Sequence, residues 1–158
     1  MSILAKISCV PADVTFRTAT KDDVPAIVAL LADDAIGAGR EGDVDAYWTA
    51  FAAIDADPRN HLIVADIDGE VAGTLQLTYI PGLSRKGAER AQIEAVRVGS
   101  AHRGRGLGHQ MIEWAIGEAR RRGCGLVQLT SDKRRGDAIR FYESLGFEAT
   151  HEGMKLPL

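Results

Sequence analysis

Apolar positions along the chain change period several times, and each change marks a new element. Val14 to Thr18 alternates apolar and polar, which predicts a first strand. Val24, Ile27, Val28 and Leu31 then recur at three- and four-residue spacing, predicting a helix from Lys21 to about Ala32. Thr20 with Asp23 three positions on forms the capping box that starts it, and Pro25 falls near the first turn, where a missing N–H costs little. Asp33 to Gly42 is glycine-rich and predicts a loop. A second helix, Val44 to about Ile54, carries Tyr47, Trp48 and Phe51 and is closed by Pro58 and Asn60. Leu62 to Ile67 and Val71 to Ile80 read as strands joined by Asp68-Gly69, the dipeptide that suits a tight hairpin turn. The second of these strands alternates cleanly, as antiparallel strands do. Pro81 to Gly87 is a loop with Arg85 and Lys86 at its tip.

The strand from Ala91 to Val98 breaks its own rhythm. Ile93 and Ala95 share one phase, whereas Val96 and Val98 share the other. A one-residue slip predicts a β-bulge near Glu94 to Val96, with backbone groups freed from the ladder. Leu107, Met111, Ile112, Ala115, Ile116 and Ala119 then mark the buried stripe of a helix ending at Arg122, with Gly123 as its stop. Arg120, Arg121 and Arg122 complement the dipole at that end and read as a solvated helix terminus. Leu126 to Thr130 is a fifth strand, parallel to the fourth because a helix connects them. Asp137 caps a short helix, Ala138 to Leu145, which Gly146 stops. Phe147 to Leu156 supplies one or two final strands. Residues 1–12 form a loosely held arm, and residues 13–158 form a single domain.

Length and charge narrow the function. A chain of 158 residues suits one core. A net charge of −3 gives no global attraction to nucleic acid or anionic membrane. No apolar run approaches the roughly 20 residues that span a bilayer. Cys9 and Cys124 are too few for a disulfide framework and lack metal-ligand spacing, so a reducing cytoplasm is expected and Cys124 reads as a small core residue.

Chemistry concentrates where the fourth strand gives way to the third helix. Arg103, Gly104, Arg105, Gly106, Leu107 and Gly108 place glycines and guanidinium groups at a helix N-terminus, whose first N–H groups lack intrahelical partners. Small residues let these donors close on an anion, and the arginines suit phosphate oxygens. A plain glycine turn with solvated arginines explains one or two of these residues, not five in six positions. The lysine and hydroxyl of a Walker loop are missing, and the third glycine of a dinucleotide fingerprint is replaced by His109. The remaining pattern, Arg103-x-x-Gly106-x-Gly108, resembles the acyl-CoA pyrophosphate loop of the GNAT superfamily of N-acetyltransferases. A second stretch, Ala138-Ile-Arg-Phe-Tyr-Glu-Ser-Leu-Gly-Phe147, resembles the Phe-Tyr helix of that superfamily. The likeness extends from Val14 onward.

The resemblance implies an α/β fold: a mixed, mostly antiparallel sheet of six to seven strands, with helices on both faces. Its fourth and fifth strands are parallel and splay apart to hold acetyl-CoA. It implies that the backbone of Val96, Arg97 and Val98 pairs with the pantetheine arm, and that residues 103–108 hold the pyrophosphate. Tyr142 becomes the general acid for the leaving thiolate, with an amphipathic core tyrosine as the plain alternative. Glu94 becomes the base that deprotonates the amine, with a solvent-facing or Arg90-paired glutamate as the alternative. The family often has Asn where this chain has Arg135, which would reach a cofactor phosphate or face water. Gln92 shares the phase of Glu94. No metal is implied, and His61, His102, His109 and His151 form no metal pattern.

The acceptor would be a primary amine of a small molecule or peptide, met in a ternary complex. Asp33, Asp34, Glu41, Asp43 and Asp45 suggest an acidic rim for a cationic amine. Arg85, Lys86 and Arg90, in a loop expected to wall the pocket, suggest an anionic one. A non-catalytic acyl-CoA sensor is the alternative from another class. The family also admits a homodimer.

Overall fold

A computed structural model describes residues 13–36, 38–40, 42 and 44–158. The N-terminal arm, Cys9, Glu41 and Asp43 lie outside the described residues. Strands β1 (Val14–Thr18), β2 (Asn60–Ile67), β3 (Glu70–Ile80), β4 (Arg90–Val98) and β5 (Leu126–Leu129) form one sheet in that order. The first four are antiparallel neighbours, and β5 runs parallel to β4. Helices α1 (Val24–Ala32), α2 (Val44–Ala56), α3 (Leu107–Arg122) and α4 (Gly136–Ser144) complete the framework. None of the described helices is long and apolar enough to cross a membrane.

Local rules explain most boundaries. The Asp23 carboxylate accepts from the Thr20 N–H at 2.7 Å and the Thr20 hydroxyl at 3.0 Å, and so starts α1 through one 3-10 turn. Arg17 clamps the same carboxylate at 2.7 and 2.9 Å. Asp68 and Gly69 both have positive φ, 53° and 85°, the type I′ geometry that joins β2 to β3. Gly123 ends α3 in the left-handed region at φ 83°. Ser84–Gly87 is a single turn with Arg85 and Lys86 at φ 53° and 60°, not a helix.

The sheet is covered on both faces. Leu107, Met111, Ile112, Ala115 and Ala119 of α3 pack on Ile63, Ala65, Leu75, Leu77, Tyr79, Ala91 and Ile93. Val64 points the other way, to Ala19 and Ile27, where Leu31 and Phe51 bring in α1 and α2. Each large side chain buried this fully contributes roughly 1.5–3 kcal/mol. Arg120, Arg121 and Arg122 end the helix exposed, as their run predicts, and Arg122 is also anchored. It clamps Glu89 at 2.6 and 3.2 Å and lies 4.0 Å over the Tyr79 ring.

Two expectations need correction. The sheet has five strands, because residues 147–158 join no strand and Met154, Leu156 and Leu158 stay exposed. Their alternation is strand-like, but the segment also carries Gly153 and Pro157, and no strand of the sheet pairs with it. The position preceding α4 is held by Arg135, while Asp137 lies exposed in the first turn and pairs with Arg140.

Candidate active site

The site begins where β4 outruns β5. The two strands pair from Arg90 opposite Leu126 to Ile93 opposite Leu129, and there β5 ends. β4 continues to Val98, so its last five residues have no parallel neighbour and the sheet opens as a V. The expected bulge lies at this point. Thr74 pairs with Arg97 and Gln76 with Glu94, so Leu75 faces both Ala95 and Val96. Ala95 takes φ 51°, a left-handed conformation that costs a non-glycine residue roughly 1–2 kcal/mol. Gly73 makes room for this bend. A Cβ there would lie 3.0 Å from the Arg97 carbonyl and 2.8 Å from Met111 Sδ.

The bulge sorts the side chains of β4. Val96 and Val98 pack on the α3 core. Arg97 points to the opposite face, where Asp34 accepts from its Nη2 at 3.1 Å. Gly99 donates to the Ala72 carbonyl at 2.8 Å, so by ladder alternation the polar groups of Val98 face the open V. The Val98 carbonyl accepts from Arg103 Nε at 3.0 Å, and the Val96 carbonyl from Arg97 Nη1 at 2.9 Å.

The cradle follows. Gly104 and Gly106 have φ 72° and 84°, and Gly106 is the residue preceding α3. The first intrahelical bond runs from the Gln110 N–H to the Gly106 carbonyl at 3.1 Å. The N–H groups ahead of it are therefore available to an anion. Fully buried Leu107 fixes the helix start. A Cβ on Gly108 would lie 3.6 Å from Phe141 and 3.7 Å from Val98, so the cradle floor is where α3, α4 and β4 meet. These residues fit a diphosphate: the turn is glycine-built, the donors face out, and exposed Arg105 adds charge. Arg103 also has partners within the protein. Its guanidinium turns to the loop after α1, donating to the Asp33 carbonyl at 2.8 Å and carboxylate at 3.0 Å.

Tyr142 stands on α4 between Phe141 and Phe147, with ring centroids 5.1 and 5.9 Å away. Burial pushes its phenol above the ordinary range, and the charges of Arg97 and Arg135 oppose that shift. Arg135, ahead of α4, reaches across to the same Asp34 oxygen that Arg97 holds. The Arg135 guanidinium, foremost, and that of Arg97 keep the Asp34 carboxyl below the usual range against its burial.

Other sequence-predicted residues fall elsewhere. Glu94 is exposed, one residue before the bulge, and no described ion pair joins it to Arg90. Gln92 accepts from the Gln128 amide across the closed end of the V. His109 contacts Glu113 at 3.2 Å. Cys124 packs on the core, and burial raises its thiol. The loop Pro81 to Arg90 leads into the start of β4, the end away from the cradle. Arg90 starts β4 seven residues before Arg97, about 23 Å away at ~3.3 Å per residue. The acidic rim is also corrected. Of its described members, Asp33 pairs with Arg103, and Asp34 pairs with Arg97 and Arg135, so these two carboxylates are not free to attract a cationic amine. Sequence spacing gave no sign of these pairings, since the partners lie far apart along the chain.

The model of the acetyltransferase (GNAT) family matches residues 24–147. Aminoalkylphosphonate N-acetyltransferase of Salmonella typhimurium is 32% identical over 135 residues, covering 85% of each chain. Glucosamine 6-phosphate N-acetyltransferase of Trypanosoma brucei brucei is 36% identical over 90 residues, which span 57% of this chain and 59% of that one. A crystal structure of a transcriptional regulator from Bacillus halodurans C-125 superposes with TM-score 0.89 at 49% identity, covering 92% of this chain and all of that one. The V, the cradle and the sequence matches agree: the chain belongs to the GNAT family and is an acyl-CoA-dependent N-acetyltransferase.

Proposed function

We propose that the protein transfers the acetyl group of acetyl-CoA to the primary amine of a small molecule that also carries a phosphonate or phosphate. The observation that carries the reading is the juxtaposition of three features: the bulged edge of β4, the glycine cradle behind it and Tyr142 across from it. The acceptor class is supported by the names of two relatives, an aminoalkylphosphonate and a glucosamine 6-phosphate N-acetyltransferase, and by the two guanidinium groups, Arg97 and Arg135, that converge on the α1 face of β4.

In this reading, amides at the start of α3 bind the diphosphate, and Val96, Arg97 and Val98 pair their backbone with the pantetheine arm. The outward Val98 N–H polarises the thioester carbonyl, a contribution of a few kcal/mol for such preorganised donors. The amine nitrogen attacks that carbon, the new C–N bond forms and the C–S bond breaks. The proton lost by nitrogen passes through water to Glu94, which stands exposed beside the bulge. Tyr142 donates its phenolic proton to the departing sulfur and regains one from solvent. Its raised pKa keeps the phenol protonated at neutral pH, as a general acid requires. The exposed tail, with Met154, Leu156 and Leu158, and the open edge of β5 support a homodimer, which light scattering would test.

The test is acetyl-CoA turnover against a panel of primary amines, with and without a phosphonate group. Turnover that favours the phosphonate-bearing amines is expected. Coenzyme binding with no turnover on any amine would overturn the reading in favour of a sensor.

A further inference from the structure

We propose that Arg97 and Arg135 form the subsite for the acceptor's tetrahedral oxyanion, and that Asp34 occupies it in the free enzyme. The inference rests on the acceptor class proposed above and assigns that class to named side chains. The two guanidinium groups come from opposite walls of the V, Arg97 from bulged β4 and Arg135 from the turn before α4. Both converge on a single oxygen, Oδ2 of Asp34. The other oxygen of that carboxylate is 3.4 Å from the Ile36 N–H. Arg97 also donates through Nη1 to the Val96 carbonyl, whereas Arg135 meets no other acceptor among the described residues, so the Arg135 fork is under-used, since a guanidinium can satisfy two acceptor atoms. Arg97 Nε, moreover, is buried with no acceptor. A tetrahedral oxyanion has three oxygens, enough for each fork to take its own. It would also gain the positive N-terminus of nine-residue α4.

Position agrees with this role. Arg97 projects from the face of β4 opposite Val96 and Val98, so the subsite lies on the α1 face of the strand, with Asp34 next to the Asp33 that Arg103 holds. Arg135 directly precedes the helix that carries Tyr142, which lies seven residues on, about 10 Å along the axis at ~1.5 Å per residue. Asp34 is mostly buried, at 10% side-chain exposure, and its carboxylate stands where the substrate anion belongs. Acceptor binding is then an exchange of one anion for another, with the arginines never left unpaired. Such an exchange favours dianions over monoanions and disfavours amines with no anionic group.

The experiment uses methylphosphonate as the probe, titrated calorimetrically into the full chain with excess CoA present to fill the cradle. Arg135→Gln and Arg97→Gln should each weaken methylphosphonate at least fivefold, and Asp34→Asn, which removes the competing anion, should tighten it. Arg135→Lys should recover part of the loss. Circular dichroism checks folding. Should Arg97→Gln not fold, Arg135→Gln and Asp34→Asn suffice. A smaller loss in both arginine variants, weaker binding in Asp34→Asn, or no methylphosphonate binding by wild type would overturn the proposal. Methylphosphonate binding that obeys this pattern, without acetylation of any amine, would sink the proposed function and leave the subsite standing.

Discussion

Replacing Gly106 with alanine and Gly108 with alanine should have opposite effects on stability, though the two lie one residue apart. Gly106 sits at φ 84°, ψ 0°, and a Cβ there would meet nothing within 4 Å. The cost of Gly106→Ala is therefore backbone strain alone, roughly 1–2 kcal/mol for an L-residue in the left-handed region. In a domain of this size that lowers Tm by roughly 2–8 °C, at about 2–4 °C per kcal/mol. Gly108 lies within α3, and its Cβ would make ordinary contacts at 3.6 Å to Phe141 and 3.7 Å to Val98. Alanine there should stabilise by roughly 0.4–1 kcal/mol, because the unfolded chain loses freedom and the folded one gains contact. Thermal unfolding of both variants reads the signs. Calorimetry with CoA reads function: a backbone pushed off φ 84° re-aims the first N–H groups of α3, and Gly106→Ala should weaken CoA at least tenfold. Equal Tm shifts in one direction, or a CoA affinity within twofold of wild type for Gly106→Ala, would refute the reasoning.

Other expectations rest on separate features. Tyr142→Phe keeps both ring contacts but removes the proton donor, so kcat should fall by roughly 10²–10⁴ with Tm little changed. Because burial raises the phenol pKa, deprotonation of Tyr142 should produce no loss of wild-type activity below about pH 10, and a Tyr142-dependent alkaline limb near pH 8 would contradict the assignment. The Asp23 carboxyl, clamped first by Arg17 and then by Thr20, is held down at about 2 from 3.8. A lowered pKa stabilises the fold above the unfolded value, so this contribution, about 2 kcal/mol, disappears as pH falls from 4 through 2. Urea unfolding at pH 6 and pH 2 should show wild type losing that much more than Asp23→Asn, and equal losses would refute it. Gly73→Ala should cost about 1–3 kcal/mol from crowding against Met111 and the Arg97 carbonyl. Adding Met111→Ala should relieve only the side-chain part, and full additivity of the two penalties would contradict the packing.

What could be read from the sequence was what local physics dictates. Asp68-Gly69 required positive φ twice, and the hairpin followed. The slipped phase from Ala95 to Val96 is the bulge itself. The stripe from Leu107 to Ala119 is a helical period that only a buried face explains. The failures involve partners distant in sequence. Met154, Leu156 and Leu158 alternate like a strand, but alternation does not supply a neighbour to pair with. Asp33 and Asp34 looked like an acidic rim because the arginines that neutralise them lie more than sixty residues away. Arg103 holds the motif position of a phosphate ligand, and spacing alone gave no sign that its guanidinium also reaches the Val98 carbonyl and Asp33. Arg122 is exposed as expected, but spacing alone gave no sign that Tyr79 of β3 and Glu89, just before β4, come beside it.

The most direct test is a crystal structure with CoA bound. The diphosphate should lie within about 3 Å of the N–H groups that open α3, and the pantetheine arm should run along Val96 to Val98, with sulfur facing the Tyr142 hydroxyl. A coenzyme bound elsewhere, or a V closed by continued pairing of β4 and β5 past Ile93 and Leu129, would contradict the assignment.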